Sequence, residues 1–422
     1  MNISLKKRLI VCFVGVLLTL CFHYFISEQM EFVTYSNGYF RILDYAYYII
    51  IAKAFWFEGF GNIYEIYFNQ QALSMHIGAK IYYVMPLGTT PIALVGWLPF
   101  AYIARFSMAL SYTLWITSSV SVLLFSLWTV GRYVLQIKNI PILPIMLSFV
   151  TVFSVTTFFT IILGQTSILA TGLLIHLIYI VHKADDKSRP GNELPIVLLI
   201  IALGIKPTYL AIGLGLLIIY GMWRQILFSG ASILTIFLLV TPMLTMGWVS
   251  SYFHQLRVFS HGEIPSVYAW AFCPQTMNIF RSASRSIIGD NIANVISHIV
   301  TCSVYLGVVV FSILSRIIGK STDQLTPSRI TKGQLIVLII GSYLLFAPYA
   351  GGYEDVLFLP IFITVLLYGN TPPLTNYKSI ALVLFLFVIL IHNIFPLDKP
   401  LWLLWLLKAL ILGYMLNFCR RG

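Results

Sequence analysis

Thirteen apolar runs separated by short polar stretches set the terms for this chain, near 9–26, 87–104, 107–130, 140–163, 167–181, 194–206, 208–223, 226–246, 291–314, 334–348, 356–369, 379–394 and 401–418. Crossing about 30 Å of hydrocarbon as helix takes roughly 20 apolar residues, and several runs reach or approach that length. Lipid-facing backbone must satisfy its own hydrogen bonds, and the runs are too long and uniform for barrel strands, so helix is the assignment. Composition agrees. With 59% hydrophobic and 9% charged residues over 422 positions, and a mean hydropathy of +0.90, the chain has too little polar surface for a soluble fold. The expected fold class is an all-α integral membrane protein, one polytopic domain over residues 1–422.

Charge placement predicts the topology. Lys6-Lys7-Arg8 lead the first run and Ser27-Glu28-Gln29 follow it with no small-x-small cleavage pattern, which reads as an uncleaved anchor with a cytoplasmic amino terminus. Lys183, Lys187, Arg189, Arg224, Arg316, Lys320, Arg329, Lys332, Lys378 and Arg420-Arg421 mark cytoplasmic segments, so Gly164-Gln165, Lys206-Pro207, the loop 247–290 and Ala347–Asp355 fall on the opposite face. Both ends are then cytoplasmic while the runs are odd in number. The stretch 87–104, broken by Pro91 and Pro99, is expected to enter without crossing, leaving twelve spans and one partial segment. Basic cytoplasmic loops point to a bacterial inner (plasma) membrane with the other face in the periplasm.

The net charge of +12 is explained by these loops and by anionic lipid, and nothing else supports nucleic acid as a partner. Cys12, Cys21, Cys273, Cys302 and Cys419 have no paired spacing that would suggest zinc or a disulfide framework. There is neither a Gly-rich nucleotide loop nor a His-Glu-x-x-His helix.

Polar residues gather on the extracytoplasmic face. Its first loop, 28–85, is dense in Tyr and Phe and carries Asp44, one of only seven aspartates. It reads as amphipathic helix lying on the membrane, with Asp44, Tyr47, Tyr48 and Ile51 on one face and aromatics such as Tyr45 and Tyr64 as anchors. Lys206 interrupts two apolar runs. A charge at membrane depth needs a partner, and Pro207 breaks the helix so that the side chain can face a cavity; a lipid phosphate is the counter-ion this reading offers, against simple snorkelling to the headgroups. Gln165 stands in a second interruption, as a tight turn or as a holder of a sugar hydroxyl. The second extracytoplasmic loop, 247–290, carries Gln275 and the pair Arg281 and Arg285, suited to phosphate or to solvent. Glu354 and Asp355 end another run behind Tyr353, where Asp355 can orient a sugar or an acceptor group.

The order of these motifs resembles glycosyltransferase family 87, polytopic enzymes of the glycosyltransferase C fold that use polyprenyl-phosphate-linked sugars. The resemblance runs through Asp44 with Tyr47-Tyr48 and Ala52, Gly59 to Tyr64, Pro86 to Pro99, Gly164-Gln165, Lys206-Pro207, Gln275-Thr276 through Arg281, and Pro348 with Tyr353 and Asp355. It implies an inverting hexosyltransferase, with mannose as the family's most familiar sugar and a glycolipid, glycan or protein as acceptor. Asp44 would be the general base. Lys206, Arg281 and Arg285 would meet the donor phosphate, and Tyr48, Gln165, Gln275, Tyr353 and Asp355 the sugar or acceptor. No cofactor and no metal is implied, because cationic side chains can meet the leaving phosphate's charge. Two other classes compete. A transporter or flippase would also break helices near the bilayer midplane, but no internal repeat is visible. An envelope polysaccharide polymerase or ligase would place its large outer loop late in the chain rather than after the first run.

Overall fold

The computed structural model describes residues 33–36, 39–42, 44–65, 74–75, 89–138, 160, 164–187, 193–261, 288–319, 330–346, 352–368 and 401–420. Two short strands, β1 (Val33–Ser36) and β2 (Tyr39–Ile42), pair antiparallel with Val33 opposite Ile42. The rest of the described fold is helical, as the sequence leads one to expect. The helices are α1 (Asp44–Glu58), α2 (Pro91–Ile103), α3 (Met108–Lys138), α4 (Ser167–Lys187), α5 (Glu193–Leu203), α6 (Pro207–Tyr220), α7 (Trp223–Val240), α8 (Trp248–His261), α9 (Asp290–Gly319), α10 (Lys332–Phe346), α11 (Phe358–Tyr368) and α12 (Leu401–Arg420). A 3-10 turn, Gly352–Leu357, leads into α11.

Four helical segments are long and apolar enough to cross a membrane, Met108–Val134, Ser167–Ala184, Trp223–Met243 and Val295–Leu314. The expected spans over 194–206, 208–223 and 334–348 appear as helices of 11, 14 and 15 residues. These are shorter than a straight crossing needs. The stretch expected to enter without crossing is a 13-residue helix, α2, with Pro99 inside it. The runs 9–26 and 379–394 and nearly all of 140–163 lie outside the described residues.

Helix α4 is the centre of the assembly, packed by α3, α5, α6, α11 and the 3-10 turn. Its closest partner is α3, and Gly172 shows why: a Cβ there would meet the Leu123 backbone at 2.8 Å, so the two helices approach as closely as a small residue allows. Several hydroxyls within the helices bond back one turn, as Ser126 Oγ does to the Val122 carbonyl and Thr364 Oγ1 to the Pro360 carbonyl, both at 2.8 Å. Hydroxyls bonded in this way place no polar demand on an apolar neighbour. The outer helices differ. Helix α7 exposes Leu227, Leu234, Leu238 and Leu239, and α9 exposes Val295, Ile299, Leu306 and Val310. Surface of this size and character belongs against acyl chains.

Helix α1 also departs from expectation. Rather than lying on the membrane with one apolar face, it has ten of its fifteen residues buried, among them Asp44, Tyr45 and Tyr47. Its neighbours are α2 and α3. Tyr48 stacks on Trp97 of α2 with centroids 4.8 Å apart, and Trp56 Nε1 donates to the Leu94 carbonyl at 2.8 Å. Tyr64, expected as an interfacial anchor, is 1% exposed and packs on Trp248 and Tyr252 of α8. Tyr45, Tyr47, Phe55 and Tyr64, part of the aromatic density that suggested headgroup anchoring, fill a protein interior instead.

Candidate active site

Asp44 is the first residue of α1 and is buried. Its Oδ2 accepts a hydrogen bond from Gln165 Nε2. Gly164 makes that approach possible. Its φ of +66° is open to glycine at no steric cost, and a Cβ there would sit 2.4 Å from the Tyr45 Cβ. Trp115 Nε1 donates to the Gly164 carbonyl at 3.0 Å, and the Gln165 N–H donates to the Thr160 carbonyl at 3.0 Å. From the other side the Tyr45 hydroxyl and Ser111 Oγ lie 2.5 Å apart, and Ser111 Oγ donates to the Phe100 carbonyl at 2.6 Å. The first turn of α1 is therefore fixed to α2, to α3 and to the turn before α4.

Lys206 caps the start of α6. Its backbone is extended, Pro207 begins the helix behind it, and α5 has already ended at Leu203. The missing N–H of proline costs nothing at a first helical position. The chain folds back at this point, since Gly213 of α6 lies against Ile200 and Leu203 of α5. Thr90, the residue before α2, bonds the Gly204 carbonyl through Oγ1, which ties the break to the proline-rich segment.

The expected counter-ion for Lys206 was a lipid phosphate, and the structure supplies a protein carboxylate. Lys206 Nζ lies 3.2 Å from Glu354 Oε1. The Tyr209 hydroxyl is 2.7 and 2.6 Å from the two Glu354 oxygens, and the Tyr209 ring lies 5.3 Å from the Lys206 ammonium. Asp355 is ion-paired as well, with its Oδ1 2.5 Å from Lys408 Nζ of α12, both side chains almost wholly buried. Each acid of the 3-10 turn thus has its own lysine, one at the break before α6 and one in α12.

Asp44, Gln165, Lys206 and Glu354 form one electrostatic unit. Burial pushes the Asp44 carboxyl up to about 6 from its ordinary 3.8, while the positive charge of Lys206 and the Gln165 hydrogen bond hold it from going higher. The group is ionised at neutral pH yet more basic than a solvated aspartate, which suits a general base. Beside it, Gln165 Oε1, Thr166 Oγ1 and Ser167 Oγ are buried with no hydrogen-bond partner among the described residues. Such atoms are satisfied by water or by a bound group. Asp44, Gln165, Lys206 and the two acids of the turn all stand at or just ahead of helix starts, the ends whose dipoles favour negative charge.

Of the residues singled out from sequence, Asp44, Gln165 and Lys206 come together here. Tyr48 sits one turn beyond Asp44, held by Trp97. Tyr353 belongs to the 3-10 turn, and Asp355 is engaged by Lys408. Gln275, Arg281 and Arg285 lie outside the described residues. Sequence reasoning missed Tyr209 and Lys408 and gave Glu354 no role of its own. Lys408 had a signal, a lone charge inside the apolar run 401–418.

The profile of glycosyltransferase family 87 matches residues 89–348, more than half of the chain. The chain belongs to glycosyltransferase family 87. The matched span includes Gln165 and Lys206, while Asp44 precedes it and Glu354, Asp355 and Lys408 follow it. A family 87 chain is a glycosyltransferase, which takes a sugar donor and an acceptor, and its apolar helices make this one a membrane protein. No curated protein and no solved structure shows significant similarity to the whole chain.

Proposed function

We propose that this family 87 protein has the glycosyltransferase C fold and transfers a hexose, mannose foremost, from a polyprenyl-phosphate donor to a lipid or glycan acceptor. The site faces the extracytoplasmic side, the periplasm in a bacterial inner membrane. The observation that carries this reading is the buried Asp44 carboxylate, poised by Gln165 within the field of Lys206. A base and a cation side by side are what displacement of a lipid phosphate by a hydroxyl needs.

In the reaction, the acceptor hydroxyl loses its proton to Asp44 and its oxygen forms a bond to the anomeric carbon. The bond from that carbon to the phosphate oxygen breaks on the opposite face, so configuration inverts, and the electron pair leaves with the polyprenyl phosphate. Lys206, with Arg281 and Arg285 of the second loop, stabilises the leaving charge. The Asp44 carboxylate also favours positive charge developing on the sugar ring. Gln165 and Tyr48, together with Gln275 and Tyr353, meet sugar or acceptor hydroxyls. Asp355, paired with Lys408, holds the turn to which Tyr353 belongs.

The test is transfer of labelled mannose from polyprenyl-phosphate mannose by the purified protein in lipid, with membrane lipid extract as acceptor. Acceptor-dependent transfer is expected from the wild type. A wild type that leaves this donor and its hexose analogues unconsumed would refute the proposal.

A further inference from the structure

Glu354 is the group the reaction leaves without a task. It is 0% exposed, and a buried carboxylate is retained at a cost unless its partners are good. Its partners are unequal. The Tyr209 hydroxyl contacts both oxygens at 2.7 and 2.6 Å, whereas Lys206 Nζ stands at 3.2 Å, longer than a close charge-assisted hydrogen bond of about 2.7–2.9 Å. The two sides also differ in cover, with the Lys206 side chain 13% exposed and that of Glu354 1%. The Tyr343 hydroxyl donates to the acid as well, so Glu354 is held more closely by buried tyrosines than by the lysine, whose side chain is the more exposed partner. Lys206 has an unbranched four-carbon stem and stands on extended backbone at a helix break. The neighbouring acid offers no substitute cation, because Lys408 is engaged by Asp355.

We propose that Glu354 is a positioning residue that holds Lys206 as its resident counter-ion and yields it to the phosphate of a lipid-linked donor. The pair solves a problem that any such site has. A lysine waiting at membrane depth must be neutralised when the donor is absent, and it must be available when the donor is present. A carboxylate fixed by Tyr209 does the first without following the lysine when it turns to phosphate. It does a second thing after transfer: by reclaiming Lys206 it competes with the polyprenyl phosphate product and speeds its departure.

This inference rests on the proposed donor class, and the experiment separates the two. Binding of undecaprenyl phosphate to the full-length protein in nanodiscs is measured for wild type, Glu354→Gln and Glu354→Asp, with undecaprenol as the control lacking phosphate. Steady-state kcat and KM for labelled polyprenyl-phosphate mannose are measured beside it. Removing the competing carboxylate should tighten undecaprenyl phosphate binding by about tenfold, equivalent to about 1.4 kcal/mol. It should lower KM and kcat together, as product leaves more slowly. Glu354→Asp, which keeps the charge and shortens its reach by one methylene, should fall between, and it carries the comparison if the glutamine variant does not fold. A residue that merely holds the fold together would give weaker binding or none of this split. Unchanged or weaker undecaprenyl phosphate binding in both variants, with a wild type that binds it, overturns the inference alone. A wild type that does not distinguish undecaprenyl phosphate from undecaprenol overturns the donor reading and the inference with it.

Discussion

Replacing Asp44 by Asn should make the protein more stable and nearly inactive, and the size of the gain follows from its surroundings. The Asp44 carboxyl titrates at about 6 rather than 3.8, chiefly because it is buried. At about 1.4 kcal/mol per pH unit, ionising it in the folded protein costs ~3 kcal/mol relative to the unfolded chain. Between those two values the folded state binds more protons than the unfolded one, so wild-type stability falls as pH rises from about 4 to about 6 and stays reduced above that. Asparagine does not ionise. Its amide keeps the Gln165 contact, because it can accept from Nε2 and donate to Oε1, which has no partner among the described residues. Asp44→Asn should match the wild type near pH 4 and exceed it by ~3 kcal/mol at pH 7.5. In a chain of this length that is roughly 3–6 °C in apparent Tm. Thermal unfolding in nanodiscs from pH 4 to 8 reads the difference, and kcat/KM over the same range should fall on the acid side with a midpoint of about 6. Turnover of the variant should drop by on the order of a hundredfold or more, as for loss of a general base. A variant no more stable than wild type at pH 7.5, or one turning over within tenfold of it, would refute the reasoning.

Other expected outcomes follow from the same contacts. Gln165→Leu removes a hydrogen bond that favours the ionised Asp44, so the acid limb of kcat/KM should move to higher pH, with a smaller loss of turnover than Asp44→Asn; a pH profile checks it. Gly164→Ala forces a Cβ against Tyr45 at a φ that side chains avoid, and should cost ~2 kcal/mol or more in apparent stability along with activity. Lys408→Met leaves Asp355 buried without this counter-ion and should lower stability by about 3–5 kcal/mol. Adding Asp355→Leu should recover most of that, since a buried pair can be exchanged for apolar residues at little cost; melting of both variants decides it. Transfer activity should be unchanged by a divalent-cation chelator, because cationic side chains meet the phosphate charge.

Much of the site was legible because charge inside apolar sequence is conspicuous. Gln165 and Lys206 interrupt apolar runs, Asp44 stands in the polar first loop, and the structure brings the three together. What their sequence could not show was pairing, since Lys206 and Glu354 are 148 residues apart and only the hairpin of α5 and α6 faces one to the other. Lys408 was legible in principle, as a lone lysine in an apolar run, but the run's hydropathy absorbed it. Asn37-Gly38, between the two strands, is the residue pair that favours a tight hairpin connection, and its place before Asp44 went unread. Helix α1 was misplaced for a different reason. Tyrosine suits both a headgroup layer and a protein interior with hydroxyl partners, and only the packing of α2 and α3 distinguishes them. Runs of 13 to 16 apolar residues form helices of 11 to 15 residues here, shorter than a straight crossing needs.

The central claim is that Asp44 takes the acceptor proton as the sugar leaves its lipid phosphate. The most direct measurement follows both products in one reaction, labelled sugar on the acceptor and polyprenyl phosphate released, for wild type and Asp44→Asn in lipid. One lipid phosphate released for each sugar transferred by the wild type, with both lost in the variant, is the predicted result. Sugar transfer that persists in the variant, or movement of intact lipid-linked sugar across the bilayer with no phosphate released, would contradict it.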